Sequence, residues 1–138
     1  MQDNTMTLVG NLTEEPEVRF TSTGTAVANF TIASTPRVFN KEASEWGDGD
    51  TLFLRCVVWQ QSAENLADSL TKGTRVIVSG RLRQRSFETH EREKRTSVEL
   101  VVDEIGVSLR YARVQIAKTT RTSATDPSYP EAAATEFA

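Results

Sequence analysis

The feature that most constrains this chain is a repeat of two. In the run AVANFTIA, Ala26 to Ala33, the set Ala26, Ala28, Phe30 and Ile32 is wholly apolar, while Val27, Asn29, Thr31 and Ala33 are mixed. Successive side chains of an extended strand point to opposite faces, so the first set suits a core and the second, with Asn29 and Thr31, an outer surface. TLFLRCVVW, Thr51 to Trp59, behaves the same way: Leu54, Cys56 and Val58 are core-like, and Phe53, Arg55, Val57 and Trp59 share the other side. In RLRQRSF the alternation carries Arg81, Arg83, Arg85 and Phe87 to one side. The last two segments each offer a face that joins positive charge to rings.

Six short segments rich in β-branched and apolar residues recur between turn signals: Thr5 to Leu12, Glu17 to Phe20, Ala26 to Ala33, Thr51 to Trp59, Arg75 to Phe87 and Ser97 to Val102. One helix interrupts them. In SAENLADSLTKG the residues Ala63, Leu66, Ala67 and Leu70 recur at helical spacing, with Ser62 placed to cap the start, Gly73 the end, and Lys72 beside the C-terminal dipole. An all-β chain of five or so curved strands, with one helix between the third and fourth, has the layout of an OB-fold, the five-stranded Greek-key barrel that often binds oligonucleotides. Its 138 residues, 38% hydrophobic, suffice for one such domain without disulfides or a structural metal.

The composition removes several classes. No apolar run approaches the ~18 residues of a membrane span, and the start MQDNTMTLVG has no basic region followed by an apolar one. A soluble protein of the cytoplasm is the natural expectation. With one cysteine, Cys56, and one histidine, His90, there is no ligand set for zinc, and no cofactor is expected. Cys56 reads as a buried core thiol and His90, in ETHEREK, as a solvated turn residue. The formal net charge is -3, yet all 16 basic residues lie at or before Arg121, and Asp126, Glu131 and Glu136 carry the excess. Between Lys72 and Arg95 eight cations face three carboxylates. Local potential, not net charge, governs where a polyanion docks.

Rings and cations together fit a single-stranded nucleic acid, whose unpaired bases stack on aromatics while cations follow the phosphates. Stacking is accordingly assigned to Phe53, Trp59 and Phe87, and backbone contacts to Arg55, Arg81, Arg83 and Arg85. Phe39 lies just before the loop ASEWGDGD, where Trp46 is expected to pack at the base of a hairpin. Two other readings compete. A metal-dependent nuclease would need carboxylates such as Asp48, Asp50, Asp103 and Glu104 to converge, and they are scattered between a turn and a distant strand end. An OB scaffold for protein partners would bury Arg81, Arg83 and Arg85 in a protein interface.

The blocks LVGNLTEEPEVRFTSTGTAVANFTIAS and KGTRVIVSGRLRQRSF resemble the bacterial-type single-stranded DNA-binding protein family, from about Thr5 to Arg121. ASTPRVF, RSFE, VDEIGVSLRYA and RVQIAK make the actinobacterial branch the most similar. The resemblance implies a non-enzymatic binder that coats single-stranded DNA without sequence specificity and protects it in replication, recombination and repair, at the nucleoid. It implies four stacking positions, which fall on Phe39, Phe53, Trp59 and Phe87. It also implies a homotetramer with N-terminal strands paired across subunits, and an extra strand at 110–118 that hooks onto a neighbour through Ala112, Val114 and Ile116. The OB domain is thus expected over 1–121, with a disordered tail at 122–138. Family members commonly end in consecutive aspartates followed by Ile-Pro-Phe, which recruit replication and repair enzymes. TSATDPSYPEAAATEFA keeps only Glu136 and Phe137 of that pattern, so such recruitment is not implied.

Overall fold

In chain order the strands and helix are β1 (Thr5–Leu12), β2 (Glu17–Phe20), β3 (Ala26–Ser34), β4 (Arg37–Asn40), β5 (Glu45–Asp48), β6 (Leu52–Trp59), α1 (Gln61–Ser69), β7 (Arg75–Glu88) and β8 (Lys94–Val107). The structure, a computed structural model, describes residues 4–119. Strands β1, β7, β8, β6 and β3 neighbour one another in that order, and β1 meets β3 again through Asn11↔Ala33 and Leu12↔Ile32. Five strands therefore form a ring. Strand β2 pairs outside it on β3, and every pairing is antiparallel except β6 with β8. With α1 between the third and fourth ring strands, this is the OB architecture expected from the sequence.

Two close approaches shape the ring. A Cβ on Gly80 would lie 2.1 Å from the Val101 carbonyl oxygen, and one on Gly10 would lie 2.8 Å from that of Ala33. At Gly80 the register of β7 on β8 also slips: Ser79 pairs Glu104 and Gly80 pairs Val102, leaving Asp103 as the extra residue of a β-bulge. Such a bulge increases local twist and bends the strand. Beyond it, β8 pairs antiparallel with β7 on one edge and parallel with β6 on the other.

The core is filled by the sets that alternation assigned to it. Ala26, Ala28, Phe30 and Ile32 of β3 and Leu54, Cys56 and Val58 of β6 are buried, joined by Val76, Val78, Leu100 and Val102 from β7 and β8. Helix α1 covers the cluster with Ala63 and Leu66, and Leu70 follows them just past its end. The expected apolar stripe is narrower than its spacing suggested, because Ala67 is exposed. The helix boundaries also differ. Gln60, at φ 65°, is the residue before the first turn and makes no side-chain cap, so Ser62 lies inside the helix. Gly73, at φ +89°, belongs to the turn after it, where Thr74 N–H donates to Thr71 O, and Lys72 is already outside the last turn.

Two strands escaped the sequence reading. Strands β4 and β5 form a separate hairpin, and β8 begins at Lys94 and runs to Val107, well beyond Ser97 to Val102. Residues 84–88 and 94–96 are exposed on both faces; the residue types in RLRQRSF still carry the predicted β7 to Phe87, but nothing comparable marks 94–96. A second unit starts at Ser108. Among the described residues, those from 108 to 119 carry no ladder, and Leu109, Val114 and Ile116 are exposed there. The Arg110 guanidinium sits 5.5 Å from the Tyr111 ring. The tail expected at 122–138 lies outside the described residues.

Two outcomes test this packing. Gly80→Ala should cost at least about 2 kcal/mol, read as a fall in the urea midpoint, because the added methyl meets backbone. Gly47→Ala, with nothing within 4 Å of its new Cβ, should be near neutral. Burial pushes the Cys56 thiol from 9.0 up to about 12. Below 9.0 both folded and unfolded chains hold that proton and the contribution to stability is whole. Above it the unfolded chain ionises first, and stability declines toward pH 12 by at most about 4 kcal/mol. Native Cys56 should accordingly resist iodoacetamide at pH 8 and react once urea unfolds the chain.

Candidate nucleic-acid interface

Residues directly opposite in a ladder share a face, so the registers trace rows across the outer surface. One row runs Arg83 (β7), Glu99 (β8), Arg55 (β6) and Thr31 (β3); the next runs Arg81, Val101, Val57 and Asn29. Trp59 opposite Val27 and Phe53 opposite Ala33 flank these rows on β6 and β3. A groove of about 650 Å³ follows, with Val57, Asn29 and Glu99 lining it beside Trp59, Arg83 and Arg85. Val57 and Glu99 are buried, Asn29 and Thr31 half-buried, and the arginines exposed.

The four assigned rings are all at the surface: Phe39, Phe53, Trp59 and Phe87 retain between 42% and 65% of their exposure. They are not gathered at one point. Phe53 and Trp59 stand at opposite ends of β6, and Phe87 lies opposite Arg95 on the part of the β7–β8 hairpin that is exposed on both faces. Phe39 is on the separate β4–β5 hairpin, directly across from Trp46, their ring centroids 5.4 Å apart at 54°. Trp46 is therefore a cross-strand partner one pair from the turn, not a residue of the hairpin's base. Asn40 closes that turn, its Oδ1 accepting from the N–H groups of Glu42 and Ala43. His90 is exposed in the turn between β7 and β8.

The arginines are not equivalent. Arg55 and Arg85 make no ion pair among the described residues. Arg81 lies 3.8 Å from the Asp103 carboxylate, both side chains more than half exposed, an arrangement that water screens. Arg83 is held differently: its Nε donates to Glu99 Oε1 at 3.1 Å and its Nη2 to the same oxygen. Sequence reasoning missed Glu99. The signal available was a lone carboxylate in the apolar run SVELVV, one residue from the core position Leu100. It missed Arg19 as well, which borders the groove and bonds Glu17 at 2.6 Å. Asp48 pairs with Arg37 at 3.1 Å, and among the described residues no three His, Cys, Asp or Glu side chains gather as a metal site.

The sequence profile of the single-strand binding protein family matches residues 3–108, most of the chain and all of the barrel. The chain belongs to that family. Among its relatives, the single-stranded DNA-binding protein of Mycolicibacterium smegmatis is 64% identical over 119 residues, covering 86% of this chain and 72% of that protein. That of Paenarthrobacter aurescens is 65% identical over the same length, covering 86% and 70%. The crystal structure of the small single-stranded DNA-binding protein from Streptomyces coelicolor superposes with a TM-score of 0.67 at 33% identity, over 79% of this chain and 97% of the other. Both the actinobacterial resemblance and the OB architecture agree with these matches.

Because its rings lie outside the core, this member of the single-strand binding family should tolerate their loss. Phe53→Ala is expected to change stability by no more than about 0.5 kcal/mol, whereas Phe30→Ala, inside the barrel, should cost about 3–5 kcal/mol. Thermal melts of the two variants make the comparison.

Proposed function

We propose that this chain binds single-stranded DNA without sequence specificity, as its family relationship suggests, and acts by binding and not by catalysis. The observation that carries the reading is the outer face of β6, β7 and β8, on which guanidinium groups and exposed rings run side by side. Phe39, Phe53, Trp59 and Phe87 stack on unpaired bases, Arg55, Arg81 and Arg85 follow the phosphates, and Asn29 and Thr31 offer hydrogen bonds to base edges or sugars. Arg83 stands in the same face. A duplex offers no free base faces to such separated rings, so single strands are the favoured form.

The biological setting we propose is the protection of exposed strands during replication, recombination and repair, in the cytoplasm at the nucleoid. Assembly as a homotetramer fits two features. Among the described residues, Asn11 and Leu12 are the part of β1 that pairs with β3, and Thr5 to Gly10 have a strand edge without a ladder on that side. The exposed Val114 and Ile116 give residues 110–118 an apolar set with which to grip a neighbouring subunit.

Titration with poly-dT, followed through the fluorescence of Trp46 and Trp59, tests the reading. Quenching at low salt that reverses as salt rises is expected; an unchanged signal in dilute buffer would refute it. Alanine at Phe53, Trp59 or Phe87 should each weaken binding by about 1–3 kcal/mol. Solution mass with and without the oligonucleotide should report four chains per complex.

A further inference from the structure

We infer that Glu99 is a positioning residue that withdraws Arg83 from the phosphate-contacting set, the two side chains forming a charge-neutral pair in the groove while Arg55 and Arg85 hold the nucleic-acid backbone. Glu99 is the buried charged residue among those described, 3% exposed. A carboxylate taken out of water is costly unless it is both paired and hydrogen-bonded. Arg83 meets that need with Nε and Nη2, both directed at Oε1. Turning Arg83 toward a phosphate would leave Glu99 buried and uncompensated, which costs more than a contact in screened solvent contributes.

The register makes the arrangement specific. Glu99 is directly opposite Arg83 on one edge of β8 and Arg55 on the other, so one buried negative charge sits between two cations on a single face. Among the described residues it is Arg83 that is bonded to it. The Arg81–Asp103 pair provides a contrast, since both of its partners are exposed and it can open to admit a phosphate. Arg81, Arg83 and Arg85 thus look like three equal charges in the sequence but act as two.

The inference rests on the single-stranded DNA reading, and salt dependence tests it. Each phosphate neutralised on a single strand adds about 0.7 to the slope of log affinity against log salt. Glu99→Gln keeps the shape and the acceptor but frees the charge of Arg83, so the slope should steepen by about 0.7, an extra loss of about 2.6-fold between about 50 and about 200 mM salt. The double variant Arg83→Met with Glu99→Gln removes a neutral pair and should keep the wild-type slope. A double variant shallower by about 0.7, or a Glu99→Gln slope equal to wild type, overturns the inference. Wild-type binding in the same titration is the control on the underlying reading. The pair is also measured without DNA: Arg83→Met should lower the urea midpoint and the added Glu99→Gln should recover most of the loss, whereas losses that simply add would refute the pair.

Discussion

At Gly80 the backbones of β7 and β8 approach so closely that a methyl group would overlap the Val101 carbonyl, and Asp103 bulges out beside the contact. That steric constraint governs the rest. The bulge bends and twists β8 there, and just before it β8 lies between antiparallel β7 and parallel β6, carrying the rows of the outer face from one to the other. Gly10 plays the matching part where β1 comes back to β3. The core residues then have a closed volume to fill, and the opposite face is left curved, grooved and continuous.

The alternation in AVANFTIA and TLFLRCVVW was enough to divide inner from outer faces, because these strands have one side in the core and one in solvent. Where both sides are wet, the signal vanishes. That is why the outer end of β8 and the strands β4 and β5 were not visible in the sequence, although a hairpin near Trp46 was expected and Phe39 was singled out. The helix was recognisable from its spacing, but its start was not, since Gln60 opens it through a positive φ without a side-chain cap. Ser62 looked like the cap only because of its residue type.

The candidate site was legible in its rings and incomplete in its charges. Exposure of Phe53, Trp59 and Phe87 follows from face assignment alone. The pairing of Arg83 does not, because Glu99 is 16 residues away and meets it only through the β7–β8 register. Counting cations along a strand measures what the chain could present, and the opposing strand decides what remains available. Cys56 is the opposite case, since its alkaline shift comes from burial, which the alternation in β6 already implied.

The β4–β5 hairpin shares no ladder with the ring, yet it is not a loose loop. The Phe39 and Trp46 rings lean on each other across the two strands, Arg37 and Asp48 join its open end, and Gly49 N–H reaches Pro36 O at 2.7 Å. Side-chain freedom at Phe39 is therefore already spent within the folded chain. For the base stacking proposed at Phe39 this makes a preorganised two-ring surface, at which less entropy would be surrendered on contact than an unsupported loop phenylalanine would demand.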